Sequence, residues 1–259
     1  MSFQRDTYHC GIPVIICRII ICAVFIAGMA SARASVIGFE PPVYTVGGTL
    51  PAGWDISASN AYVTDVNPLV ETQSLNIMDN GTVDLIYYDL PQPVPASGAT
   101  TISVVMRLVD YYSPVWNFMY YGSFRVRNMG DCYSTYCTEC TVSFDIYNGA
   151  RNIYLYNGVG CITGGYCPGM IASGIFTAGT TYKISMGIDW TAKTRNYVVE
   201  DYATGGVVAQ RTFTLDQSIP IRGVMLGGGY DLADPKTHPT TFDQLTLPDV
   251  STVKEWMLY

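Results

Sequence analysis

Residues that favour helices and residues that do hydrolytic chemistry are both scarce in this 259-residue chain. Charged residues make up 14% of it; Lys and Glu are few, while Gly, Thr, Tyr, Val and Ser abound. That composition suits strands and turns and argues against a helical fold. Histidine occurs twice, at His9 and His238. No run of ~20 apolar residues is present, so no segment has the length of a membrane-spanning helix. Fourteen basic residues stand against 21 acidic ones, a net charge of −7. Lys and Arg are scattered, with Arg125 and Arg127 close together. An acidic chain without a basic patch argues against nucleic acid and against an anionic membrane surface as partners.

The N-terminus reads as an export signal. Arg5 supplies a basic start, Ile19 to Gly28 a short apolar run, and Ala32-Arg33-Ala34 the small-x-small pattern that precedes cleavage. Arg18 interrupts the apolar stretch, so an uncleaved anchor is the weaker reading. Cleavage after Ala34 removes three Arg and one Asp, leaving 11 basic and 20 acidic residues and a net charge of −9. The expected product, residues 35–259, is secreted or periplasmic and not inserted in a membrane. It forms one domain, because all-β sandwiches of this length seldom divide.

Period-2 alternation marks the strands. Ile102, Val104, Met106 and Leu108 share one face, with Ser103 and Arg107 opposite; Val142, Phe144 and Ile146 alternate with Ser143 and Asp145. Tyr182 to Trp190 is the clearest case, every even position being apolar. It is expected to pair with Asn196–Tyr202 in a hairpin whose Tyr182, Ile184, Met186 and Ile188 face the core. Asn148-Gly149 and Thr204-Gly205-Gly206 supply turn chemistry. Pro91, Pro93 and Pro95 predict a loop, as does the segment Asp231–Pro239. The class that follows is all-β, a two-sheet antiparallel sandwich.

Four segments carry a family resemblance: Gly38-Phe39-Glu40 with Gly53-Trp54-Asp55-Ile56, then Thr72-Gln73-Ser74-Leu75-Asn76-Ile77, then Thr180 to Ser185 followed by Asp189-Trp190 and Asn196-Tyr197, and finally Phe242-Asp243-Gln244-Leu245-Thr246-Leu247. In this order they resemble the opening, "G-x-Q-S-L-x-I", "W-Y-x-I-x-I-x-x-D" and closing "F-D-N-L-T-L" strands of concanavalin A-like jelly rolls. That group includes laminin G-like modules, lectins and secreted carbohydrate-active proteins. The resemblance implies a jelly-roll fold, a polysaccharide or glycoconjugate partner, and a structural Ca²⁺ between the first and last strands. Glu40 and Asp243 stand at the positions matching that ion.

Four features of the sequence bear on chemistry. Glycosidases of this fold resemble one another in a Glu-x-Asp-x-x-Glu strand; beyond the signal, Glu40, Glu71, Glu139, Glu200 and Glu255 are the glutamates, and none begins such a motif. His238 stands in a polar loop without a nucleophile-elbow sequence. The aromatic cluster Tyr111, Tyr112, Trp116, Tyr120, Tyr121, Tyr154 and Tyr156 can stack on sugar rings, although aromatic residues in strands also fill cores. Cys132, Cys137, Cys140, Cys161 and Cys167 fall within 36 residues. Their spacing superficially suits an iron–sulfur or zinc site, but an oxidising destination favours disulfides. No cofactor is required by anything in the sequence.

Three readings therefore stand: a non-catalytic recognition module binding carbohydrate, a glycan-cleaving hydrolase or lyase with an unrecognised site, and a surface or matrix protein with a protein partner. Two disulfides among five cysteines leave one thiol. Thiol titration of the unfolded, unreduced, signal-free protein should therefore count one, and a count of five would refute the disulfide reading.

Overall fold

The structure, a computed structural model, describes residues 34–55, 61–78, 85–108, 118–129, 138–147, 150–156, 169–215, 217–229 and 239–248. Every regular element among them is a strand. The strands are β1 (Ala34–Ile37), β2 (Trp54–Asp55), β3 (Ala61–Thr64), β4 (Ser74–Ile77), β5 (Leu85–Val94), β6 (Ala99–Arg107), β7 (Phe118–Asn128), β8 (Thr138–Tyr147), β9 (Ala150–Tyr156), β10 (Met170–Ile175), β11 (Thr181–Asp189), β12 (Thr194–Asp201), β13 (Val207–Thr214), β14 (Ile221–Gly227) and β15 (Thr240–Pro248). One sheet runs β13-β12-β11-β6-β15-β4-β3, with β1 also paired to β15; the other runs β10-β9-β8-β7-β14-β5-β2. All pairings are antiparallel. The chain is thus a two-sheet antiparallel jelly roll.

The core lies between the inner faces of the sheets and follows the alternation in the sequence. Tyr182, Ile184, Met186 and Ile188 are buried in it, and β11 pairs with β12 from Tyr182↔Asp201 to Asp189↔Thr194. Val142, Phe144 and Ile146 face them from the other sheet. Phe144 stacks on Tyr182 at 5.4 Å between ring centroids and meets Phe176 edge-on at 5.7 Å.

Two expectations change. The Pro91–Pro95 stretch is not wholly a loop, since β5 continues to Val94. Its pairing with β14 jumps from Gly223↔Asp89 to Ile221↔Val94, so Pro91 and Pro93 stand in the irregularity, where no ladder donor is required of them. A Cβ on Gly223 would come 2.1 Å from the Tyr88 carbonyl, which only glycine permits. The second change concerns β7. The register passes from Tyr120↔Asp145 to Gly122↔Phe144, leaving Tyr121 as an extra residue in a bulge. Gly122, at φ +134°, accepts the backbone this requires. The bulge turns Tyr121 inward, where it is fully buried against Phe176 at 4.9 Å. The Asp231–Pro239 excursion and the Asn148-Gly149 turn fall outside the described residues, Pro239 excepted.

Residues from three of the segments that carry the resemblance meet at one place. Between β3 and β4, residues 65–73 fold across the outer face of the eight-stranded sheet. They reach β15, where the Val70 N–H (3.1 Å) and the Ser74 hydroxyl (3.0 Å) donate to Asp243 Oδ2. They also reach β6, where Arg107 Nη2 donates to the Asn67 carbonyl at 3.0 Å. From the other side Glu40 accepts the N–H groups of Thr72 (2.9 Å) and Gln73 (2.8 Å) and the Thr72 hydroxyl. The Gln73 amide nitrogen, turned inward, donates to the Phe39 (2.9 Å) and Tyr44 (3.2 Å) carbonyls. Asp243 Oδ1 accepts the N–H of Gln244, whose φ of +43° lies in the left-handed region that Asn tolerates better than Gln. The Asn of "F-D-N-L-T-L" therefore has a backbone reason.

The two carboxylates titrate in opposite directions. Burial raises Asp243 from 3.8 to about 6, against its hydrogen bonds from Gln244, Ser74 and Val70, and the Glu40 charge adds to the rise. At Glu40 burial also acts upward, but the bonds from Thr72 and Gln73 outweigh it and the pKa falls below 4.5. Asp243 therefore stabilises the fold fully below the usual aspartate range, and that contribution is lost as pH rises through about 6. Glu40 does the reverse, being lost as acid passes its lowered pKa. Ionising Asp243 in the fold costs on the order of 3 kcal/mol relative to the unfolded chain. Asp243→Asn should consequently gain on the wild type by about 2.5 kcal/mol between pH 4 and pH 7.5 in urea unfolding. A difference independent of pH would show that Asp243 does not carry this burden.

Candidate functional site

Residues 65–73 reach β15 and β6 on one outer face; the outer face of the seven-stranded sheet is the other broad surface. Alternation decides what it presents. In β7, Phe124 and Val126 enter the core, so Ser123, Arg125 and Arg127 point away from it. In β8, Val142, Phe144 and Ile146 enter the core, leaving Thr141, Ser143 and Asp145 outward. Register aligns these strands with their neighbours. Ala172, Tyr154, Ser143, Ser123 and Gly227 form one row across the sheet. Thr141, Arg125, Met225 and Tyr87 form the next. Asp145 stands opposite Asn152.

This face is polar and yet largely withdrawn from solvent. Ser123 is 0% exposed, Thr141 3%, Ser143 5% and Arg127 8%. Asp145 Oδ2 accepts from the Ser143 hydroxyl at 2.8 Å, while its Oδ1 is buried without a hydrogen-bond partner. Burial raises its pKa from 3.8 to about 7, and the Ser143 hydrogen bond and the Arg125 charge oppose the shift. Arg125 Nε donates to the Ser123 hydroxyl at 3.1 Å. Arg127 lies 4.6 Å from the centre of the Tyr87 ring and pairs with Asp89 at 2.7 Å. Asp89 also accepts from Arg222 at 2.8 Å. Asn152 Nδ2 donates to the Tyr154 hydroxyl at 3.3 Å. A buried carboxyl held near neutrality beside an arginine is the pattern of a ligand or catalytic position.

The aromatic candidates disperse. Tyr154 lies half-buried on this outer face. Tyr121 is a core residue and has no face to offer a ligand. Tyr156 is buried, with the Arg195 guanidinium 5.6 Å from its ring centre. Tyr120 occupies the β7 position opposite Asp145, and its side chain lies outside the described residues, as do Tyr111, Tyr112 and Trp116 altogether. Among the cysteines Cys140 is fully buried in the core, where its thiol meets the Tyr197 hydroxyl; Cys132, Cys137, Cys161 and Cys167 lie outside the described residues.

Glu40 and Asp243 do come together, but as acceptors. Six N–H and O–H donors address their oxygens. Ca²⁺ takes six to eight oxygens with lone pairs aimed at the ion. Among the described residues no three His, Cys, Asp or Glu side chains gather as a metal group. The pair, as arranged, does not fit the cation and serves to hold residues 65–73.

The residues that sequence reasoning passed over are Asp145, Ser143, Ser123 and Arg125. Their signal was present, as polar side chains at i and i+2 in strands otherwise apolar, but alternation by itself reads as an ordinary solvent face.

In sequence, no protein-family model and no curated protein matches the chain. Solved structures do resemble it. Lectin II from Ulex europaeus is 10% identical, with 83% of this chain and 97% of the lectin covered at a TM-score of 0.55. The potassium-bound carbohydrate recognition domain of Emp46p is 13% identical, with 76% and 89% covered at 0.50. At such identities the likeness establishes the fold, which is that of the lectin-like, concanavalin A-type jelly rolls.

Proposed function

We propose that this chain is an exported, non-catalytic carbohydrate-binding protein whose glycan lies across the outer face of the seven-stranded sheet. The observation that carries the proposal is the row of withdrawn polar groups there: Ser123, Arg125, Ser143, Asp145 and Tyr154 point away from a complete apolar core. Hydroxyls, a guanidinium and a carboxyl are the partners that sugar hydroxyls need, and the Tyr154 ring supplies an apolar face for stacking. The lectin and the carbohydrate recognition domain that share the fold support the ligand class.

A glycan-cleaving enzyme is the second reading, favoured by Asp145, which at about 7 is suited to general-acid work. Glycoside hydrolysis ordinarily pairs two carboxyls across one bond. Among the described residues the side chains acting on Asp145 are Ser143 and Arg125, with no second carboxylate. Binding without cleavage is therefore the better fit.

A glycan array should give binding, and Tyr154→Ala should weaken affinity for the bound glycan by about tenfold, the worth of one stacking contact. Incubation with that glycan should release neither reducing ends nor unsaturated product. Release of either would transfer the assignment to the enzyme reading.

A further inference from the structure

Arg125 and Asp145 converge on one spot from opposite ends. Ser123 and Ser143 are direct register partners on β7 and β8. Arg125 stands two residues beyond Ser123, and its Nε reaches back to that serine at 3.1 Å. Asp145 stands two residues beyond Ser143 in the other direction, and its Oδ2 reaches back to that serine at 2.8 Å. Two residues of strand are ~6.8 Å, so both groups lean inward over a pair of serines. They do not close into an ion pair. Arg125 uses Nε on Ser123, while Asp145 Oδ1 is buried with no partner.

Charge distinguishes the ligands that could bridge this gap. The chain as a whole is acidic, at −7. This face carries Arg125, Arg127 and Arg222 against Asp89, which the last two share, Asp55, whose charge acts on Arg127, and Asp145, neutral in part at pH 7. With Arg127 and Arg222 held by Asp89, Arg125 is the cation of this face that an anion can meet. A guanidinium recognises a planar carboxylate in two parallel hydrogen bonds, which a hydroxyl cannot match.

We infer that the gap between Arg125 and Asp145, floored by Ser123 and Ser143, is a subsite for an acidic sugar residue, its carboxylate on Arg125 and a neighbouring oxygen on Asp145. The inference rests on the glycan-binding reading and adds the class of sugar. In the complex Asp145 is protonated and donates from the oxygen that is now unpartnered. Among the described side chains the charged and titratable groups near it are Arg125 on β7 and Tyr154 on β9, beside the uncharged Asn152 and Ser143; Tyr120 holds the β7 position opposite it. Affinity for the acid should therefore rise as pH falls through about 7, while the sugar carboxylate itself stays ionised.

The test is calorimetric titration of the purified protein with oligomers of galacturonate, glucuronate and mannuronate, each against its carboxyl-reduced, neutral counterpart. At least one acidic oligomer should bind about tenfold or more tightly than its reduced form. Arg125→Gln should abolish that preference. Asp145→Asn should keep the preference and remove its pH dependence between 5.5 and 8. Matching thermal melts would establish that both variants are folded. Neutral forms binding as well as the acids, or a preference surviving Arg125→Gln, would overturn the subsite while leaving glycan binding intact. Absence of binding to any neutral or acidic glycan would overturn both readings.

Discussion

A single buried carboxyl organises this protein. Asp243, on the outer face of β15 and wholly removed from solvent, accepts the Val70 N–H and the Ser74 hydroxyl. Ser74 in turn accepts the Leu69 N–H at 2.9 Å. Glu40 completes the hold from just after β1, and Arg107 fixes Asn67 from β6. A polar segment laid on a sheet needs partners for its backbone groups, and these side chains supply them. Residues 65–73 are thereby fixed to β15 and β6 on one outer face, and the seven-stranded sheet presents Ser123, Arg125, Ser143 and Asp145 on the other. Asp243 holds this position against its own desolvation, which is why it titrates near 6.

Much of the fold was legible because burial imposes strict alternation. The β11–β12 hairpin follows from Tyr182 to Ile188 with no other register available, since a slip by one residue would expose four large apolar side chains. Insertions were not legible. Nothing in Tyr120-Tyr121-Gly122 says which tyrosine turns inward; the bulge does, and its mark in the sequence is a glycine that reads equally as a turn or a flexible link. The prolines of β5 misled for a related reason, because a proline in a sheet is tolerated wherever the ladder is already interrupted. Met170–Ile175 was missed as a strand because Met-Ile-Ala-Ser-Gly-Ile has no period of two; it pairs at the sheet's edge, with a register shift at Gly174.

The site was less legible than the fold. Aromatic density pointed to Tyr111–Tyr121, yet density does not separate a stacking platform from core packing, and Tyr121 belongs to the second. Glu40 and Asp243 were located as a pair by the resemblance, and they do meet, but the donors around them make them structural acceptors. Asp145 was visible as the polar partner of Phe144 and Ile146. Its distinction is that the face it joins is buried, and burial of a strand's polar face depends on the rest of the chain.

These parts give one physical account. Electrostatics divides the surface, with an acidic body and an arginine-bearing sheet face. Packing sets which side chains reach that face. The most direct test of the central claim is a backbone amide shift map of the ¹⁵N-labelled protein titrated with a bound glycan. The account predicts the largest shifts at Ser123–Arg125, Thr141–Asp145 and Asn152–Tyr154. Shifts confined to residues 65–73 and β15 would contradict it.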